Sequence, residues 1–156
     1  MISILLPVYN GEKFLKSTIN SMLNSTYKKF ELVIVNDGST DKSESIIKSF
    51  DDDRISLYYK SNSGLVDTLN YGIKKCSNEI IMRMDADDLI HPLKIEKQLK
   101  AFQKSDTILM GTEGYLINNN DEVTGNIKLP YSHSDILNSL LNLKPSFIHP
   151  SIMTYK

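Results

Sequence analysis

A chain of 156 residues that is 40% apolar and 24% charged is long enough for one domain with a real core, too short for two, and too apolar to stay disordered. Eighteen basic against nineteen acidic side chains leave a formal charge of −1, so no global field draws nucleic acid or an anionic membrane, and any anion site is a local arrangement. The single cysteine, Cys76, excludes an intrachain disulfide and a thiolate metal cluster. With no basic leader before Ile2 and no apolar run near the roughly 20 residues that span a bilayer, the expected setting is the cytoplasm, free or peripheral at the inner face of a membrane.

In chain order, "ISILLPV" (2–8), "FELVIV" (30–35), "RISLYY" (54–59) and "EIIMRM" (79–84) are short runs of branched and aromatic side chains, as strands buried on both faces are. Helical patterns separate them. Phe14, Leu15, Thr18, Ile19, Met22 and Leu23 form one stripe, and Leu65, Leu69, Ile73 and Cys76 another. The middle helix carries Ile46, Ile47 and Phe50 behind Asp41 and Glu44, spaced as a capping box. This alternation predicts parallel strands joined by right-handed crossovers, with helices on both sheet faces. "HPLKIEKQLKAFQKS" (91–105) adds a helix with Pro92 in its first turn and Ile95, Leu99 and Phe102 inward. Strand candidates "TILMGT", "GYLIN" and "VTGNIKL", a polar turn "NNNDE", a helix near 136–143 and a final apolar run "SFIHPSIM" then predict a smaller mixed extension of the same domain.

An open α/β sheet binds ligands beyond the carboxyl ends of its strands, where the strand order reverses. Each strand of the first half ends in polar or turn-forming residues: "PVYNGE", "NDGSTD", "KSNSG" and the acidic "DADD". Taken singly, "PVYNG" is an ordinary turn, "NDGSTD" a turn plus helix cap, and Asn62 and Gly64 a tight strand-to-helix approach. Asp51, Asp52 and Asp53 follow a helix and read as a solvated turn.

Asp85, Asp87 and Asp88 differ, because a strand buried on both faces delivers them where water is limited and unpaired carboxylates are costly. Either water solvates them or a hard divalent cation, Mg²⁺ or Mn²⁺, offsets their repulsion. An EF-hand does not fit, since Leu89 and Ile90 stand where that loop needs a ligand and a glycine. An unrelated phosphate-binding α/β domain fits poorly as well, because "PVYNGEK" is a weak version of a phosphate loop.

In order and spacing, "ISILLPVYNGEKFLKSTINSMLNSTYKKFELVIVNDGSTD", "NSGLVDTLNYGI", "IIMRMDADDLIHPLKIEKQ" and "FIHPSIM" resemble the inverting family-2 glycosyltransferases of GT-A fold over nearly the whole chain. The resemblance implies a three-layer α/β/α sandwich with a mainly parallel sheet and a smaller mixed C-terminal extension. Residues 1–104 would be the nucleotide-binding half and 105–156 the start of the acceptor half. It further implies a nucleotide-diphospho-sugar donor, most often a UDP-sugar, with Mn²⁺ or Mg²⁺ as cofactor. One sugar would pass with inversion to a hydroxyl of a glycan or other acceptor, as in polysaccharide biosynthesis. Residue by residue, it puts Pro7, Val8 and Tyr9 on the nucleoside and Asp37 on the base, with Asn62 and Gly64 beside them. Asp85 faces the ribose or the metal shell, and Asp87 is the metal ligand of a DxD-like "DAD" motif. Asn36 stands where the family often has an acid. Arg83 shares strand parity with Asp85 and is expected to pair with it, since a buried guanidinium requires a partner.

Inverting transfer needs a general base at the acceptor hydroxyl, which family members carry as an Asp beyond the "HPS" segment. No acid follows Asp135 here, and Asp135 reads as a helix cap. The expectation is therefore the donor-binding part of a longer enzyme, or a shortened relative that binds nucleotide-sugar without turnover. His149, in "FIHPS", is a weak substitute base; His91 and His133 read as loop or cap residues. An uncovered "SFIHPSIM" edge is expected to favour homo-oligomers.

Overall fold

The computed structural model of the chain describes residues 1–104 and 106–156. β1 (Ile2–Val8) is buried along its whole length, as a strand with helices on both sides must be. It pairs in parallel with β2 (Phe30–Asn36), β2 with β3 (Ile55–Tyr59), and on its other side β1 pairs in parallel with β4 (Ile80–Arg83). Successive side chains of β1 then serve two cores. Ile4, Leu6 and Val8 meet Leu15, Ile19 and Met22 of α1 (Leu15–Leu23), Ile47 of α2 (Ser43–Lys48), and the α4 helix (Lys94–Gln103) through Ile95, Leu99 and Phe102. Leu5 belongs to the opposite core, with Val33, Val35, Ile81 and Cys76, under α3 (Leu65–Lys75). The result is the α/β/α sandwich expected from the alternation of elements. Ser105, which closes the helix expected over 91–105, lies outside the described residues.

Two helices differ from their hydrophobic patterns. In α3 the buried helical residues are Thr68 and Gly72, while Leu65 is 50% and Ile73 37% exposed. The reason is proximity: a Cβ on Gly72 would lie 2.3 Å from Leu5 Cδ1, so Thr68 and Gly72 face the sheet; of the expected stripe, Leu69 and Cys76 still pack on the core, while Leu65 and Ile73 turn outward. The capping box at α2 does not form; Lys42 is the N-cap residue, and Glu44 pairs with Lys48.

In the second half, β5 (Leu109–Met110) is much shorter than "TILMGT", and β6 (Gly114–Ile117) and β7 (Val123–Ile127) form a separate hairpin. Helix α5 (His133–Leu141) is capped by Ser132, which accepts the Asp135 N–H, so Asp135 is not the cap. A 3-10 turn (His149–Ser151) leads into β8 (Met153–Tyr155). That last strand corrects the expectation of a free C-terminal edge. It lies between β4 and β5, antiparallel to both, in the order β3-β2-β1-β4-β8-β5, and Met153 is fully buried. Among the described residues, no helix is long and apolar enough to cross a membrane.

Candidate functional site

The strand order reverses between β1 and β4, and at their carboxyl ends the connections part. A crevice of about 470 Å³ opens there. Pro7, Tyr9, Lys13 and Phe14 line it from the β1 side, Leu65 from the start of α3, and Asp85 and Asp87 from the turn after β4. Four of the residues singled out in the sequence, Pro7, Tyr9, Asp85 and Asp87, thus share one cavity.

The first two strand-end motifs turn out to be each other's partners. The backbone N–H groups of Asn10, Gly11 and Glu12 donate to Ser39 Oγ (3.0 Å), Ser43 Oγ (2.9 Å) and Asp41 Oδ2 (2.9 Å). In return the N–H groups of Thr40 and Lys42 donate to Asn10 Oδ1 (2.8 Å) and Glu12 Oε2 (3.0 Å). Asn10 sits at φ 50°, a left-handed conformation that asparagine tolerates. This clasp fixes the turn that presents Tyr9, which is 54% exposed. It also uses up the N–H groups leading into α1.

Asp37, at the end of β2, is buried under the loop that follows β3. Its Oδ1 accepts the Lys60 ammonium and the Ser63 N–H (3.1 Å), and its Oδ2 accepts the Gly64 N–H (3.0 Å). Gly64 adopts φ +91° immediately before α3, a conformation that glycine supplies without strain. Asp37 therefore fixes the turn that leads into α3 from another strand. Burial pushes its carboxyl up, but hydrogen bonds from Lys60, Ser63, Thr68 and Gly64 outweigh this and hold it below the usual range. Asp37 does not line the crevice but lies next to Leu65, which does. Val8 meets the site only through its backbone: the side chain is in the core, and its carbonyl accepts the Asp37 N–H (2.8 Å). Asn62 is exposed and lies outside the crevice, as does His149 on its 3-10 turn.

The acidic turn is held from below. Arg83 NH2 donates to Asp85 Oδ1 (2.8 Å), the pairing expected from strand parity. Asp87 is exposed in the crevice. Asp88 is half-buried, and burial, followed by the charges of Asp87 and Asp85, raises its pKa. Burial lowers Lys94 to about 8 against the opposing pull of Asp88. Lys94 Nζ donates to Gln98 Oε1 (3.2 Å), and Gln98 Nε2 donates to the carbonyls of Met110 (3.0 Å) and Ser151 (2.8 Å). Through Gln98, α4 is tied to β5 and to the turn before β8.

Among the described residues no three His, Cys, Asp or Glu side chains are arranged to enclose a metal ion. One or two carboxylates at the edge of an open crevice is nonetheless a donor set suited to Mg²⁺ or Mn²⁺, which keep waters and share their shell with phosphate oxygens. The oxygen-only chemistry of Asp85 and Asp87 does not favour a softer metal.

Sequence reasoning missed Lys13 and Phe14, which it left unremarked or placed on the inward face of α1; Phe14 is 37% exposed and lines the crevice. It also missed Lys60 and the clasp residues Asn10, Glu12, Ser39 and Ser43, whose only signal was their position just after strands. Asp52, read as solvated, accepts Arg54 Nε (2.8 Å) and NH2 (2.7 Å).

The pattern described as "Glycosyl transferase family 2" matches residues 3–156. The O-antigen biosynthesis glycosyltransferase WbnJ of Escherichia coli is 37% identical over 159 residues, covering 100% of this chain and 62% of that protein. An uncharacterized glycosyltransferase of Rickettsia typhi is 44% identical over 106 residues, covering 68% of this chain and 33% of that protein. The chain thus spans between 33% and 62% of the length of these relatives. Among solved structures, S. aureus TarS 1-349 superposes with a TM-score of 0.74 at 22% identity, over 99% of this chain and 46% of that one. The same protein in complex with UDP-GlcNAc gives 0.65 at 24% identity, over 69% and 32% of the two chains. The mannosyltransferase PcManGT from Pyrobaculum calidifontis, in complex with GDP-Man and Mn²⁺, gives 0.63 at 21% identity, over 77% and 36%. These structural likenesses carry the fold, and the sequence match carries the family: the chain belongs to glycosyl transferase family 2.

Proposed function

We propose that this chain binds a nucleotide-diphospho-sugar, with UDP as the nucleotide, and serves the transfer of its sugar with inversion to a hydroxyl of a glycan or other acceptor. The observation that carries the reading is the shared crevice, in which an exposed tyrosine beside Pro7 faces two carboxylates across a space of about 470 Å³. Tyr9 offers a flat ring for the base or ribose. Asp37 supports the choice of uracil. Its carboxylate lies beside Leu65 at the edge of the crevice, where it would accept a single ring N–H in exchange for one of the donors that now engage it. A divalent cation held at Asp87, with Asp85 beside it, would neutralise charge on the departing diphosphate. Arg83 holds Asp85 in one orientation.

The test is thermal denaturation with UDP, GDP and UDP-sugars, each with Mn²⁺ and with EDTA. UDP with Mn²⁺ is expected to stabilise the fold by about 2.7 kcal/mol at roughly 100 times its dissociation constant, and EDTA is expected to abolish most of that gain. Equal stabilisation in EDTA would remove the metal from the reading, and no stabilisation by any nucleotide would remove the reading itself. Asp87→Asn, which takes away one ligand charge without changing shape, is expected to abolish the metal-dependent part alone.

A further inference from the structure

A dication offset by Asp85 and Asp87, even with Arg83 on Asp85, leaves part of the charge of a donor diphosphate uncompensated, so a further positive group in the crevice would strengthen its hold. The groups around it are mostly committed. Lys60 is bonded to Asp37, Arg83 to Asp85, and the half-buried Lys94 to Gln98. The N–H groups of Asn10, Gly11 and Glu12, which would otherwise cradle a phosphate, donate to Ser39, Ser43 and Asp41. Lys13 remains. It lines the same cavity as Tyr9, Asp85 and Asp87, is the only basic side chain to do so among the described residues, and is exposed.

Its present contacts are weak ones. The ammonium lies 4.6 Å from the centroid of the Phe14 ring and donates to Asn119 Oδ1 at 3.3 Å, in an exposed contact. Asn119 belongs to the turn between β6 and β7, so this one hydrogen bond joins the crevice to the hairpin of the second half. An exposed neutral amide is a poorer partner for an ammonium than a phosphate oxygen, because charge-assisted hydrogen bonds are roughly twice as strong as neutral ones.

We propose that Lys13 is a ligand of the donor diphosphate, and that on donor binding it exchanges Asn119 for a phosphate oxygen and so releases the β6–β7 turn. This rests on the donor-binding reading above. Lys13 then holds the diphosphate from the β1 side while the acidic turn holds it from the β4 side.

Calorimetric titration of UDP with Mn²⁺ into the wild type, Lys13→Met, Lys13→Arg and Asn119→Ala tests it. Methionine keeps a stem against Phe14 and removes the charge. Lys13→Met is expected to weaken UDP roughly tenfold or more and to flatten the dependence of affinity on salt. Lys13→Arg is expected to stay within about threefold of wild type, since the charge is kept. Asn119→Ala is expected to bind UDP as tightly as wild type or more tightly, because a competitor for the ammonium is gone. UDP affinity within about twofold of wild type in Lys13→Met would overturn the proposal, as would an arginine variant as weak as the methionine one. Asn119→Ala as weak as Lys13→Met would overturn the exchange. A wild type that binds neither UDP nor GDP would overturn the donor-binding reading itself, an outcome distinct from a Lys13 variant that changes nothing.

Discussion

The two halves of the molecule hold their side chains in different ways. In the first, β1 is buried from Ile2 to Val8 and three helices cover one face while α3 covers the other. In the second, α5 has no buried residue, Leu143 is 95% exposed, Tyr131 is 83% exposed, and among the described residues Met153 alone joins the buried hydrophobic core. The second half is attached through strand pairing of β8 with β4 and through Gln98. The difference teaches where geometry is fixed in advance. Loops rooted in a sheet buried on both faces can hold reacting groups to a fraction of an ångström, and every crevice-lining residue lies in that half. The second half presents apolar surface around a hollow of about 980 Å³ between β5 and α5, with no comparable frame of buried strands beneath it.

The largest effect expected from this contrast is at Asp37. Its carboxylate is 5% exposed and the Lys60 side chain 15% exposed. Removing one partner of such a pair leaves an uncompensated buried charge. Asp37→Ala is expected to cost about 3 to 5 kcal/mol of stability with no nucleotide present, measured by urea denaturation. Much of that should return in Asp37→Ala combined with Lys60→Met, where the stranded ammonium is gone. A loss below about 1 kcal/mol in the single variant would show that the site loops are not locked as the hydrogen bonds imply.

Acid should find a second lock in the same half. Hydrogen bonds from Arg54, against the opposing effect of burial, hold Asp52 at about 2, below the roughly 3.9 of an unfolded aspartate. A depressed carboxyl contributes stability above its unfolded pKa and loses it as pH falls through the folded value. The contribution is therefore complete above about pH 4 and vanishes as pH falls to about 2. At about 1.36 kcal/mol per unit it is on the order of 2 kcal/mol. Asp52→Asn should be less stable than wild type at neutral pH and converge with it near pH 2; parallel stability curves would exclude the ion pair as the cause.

Much of this architecture was legible, and for a definite reason. The run "ISILLPV" is β1 residue for residue, because a strand buried on both faces has to be apolar throughout. Strand order then places Pro7, Tyr9, Asp85 and Asp87 at one switch point without knowledge of any contact. What stayed hidden was pairwise. Nothing local tells that the N–H of Asn10 will find Ser39, or that Lys60 will reach back to Asp37. The buried face of α3 was read only in part: Leu69 and Cys76 were found, but Thr68 and Gly72 carry little hydrophobic signal, their role being to let the helix approach Leu5 and Val35. β8 escaped recognition as an interior strand because three residues are too few for a period-two pattern.

The smallest effect sets the halves side by side in a single comparison. Ser43 is fully buried, and its hydroxyl accepts the Gly11 N–H at 2.9 Å as part of the clasp behind Tyr9. Ser43→Ala removes few atoms but leaves that donor without a partner, which costs about 1 to 2 kcal/mol. Leu140 in α5 is larger, apolar and 50% exposed. Leu140→Gln keeps helix propensity nearly constant and is expected to change stability by no more than about 0.5 kcal/mol, as exposed substitutions do. A lost hydroxyl in the first half should then outweigh a lost leucine in the second, with both read from urea midpoints at unchanged slope. If Leu140→Gln proved the more damaging, α5 would be packed by contacts as firm as those of the sheet, and the second half could not yield to a partner without partial unfolding. The order of these two midpoints therefore decides whether the crevice is the only preorganised part of the molecule or one of two.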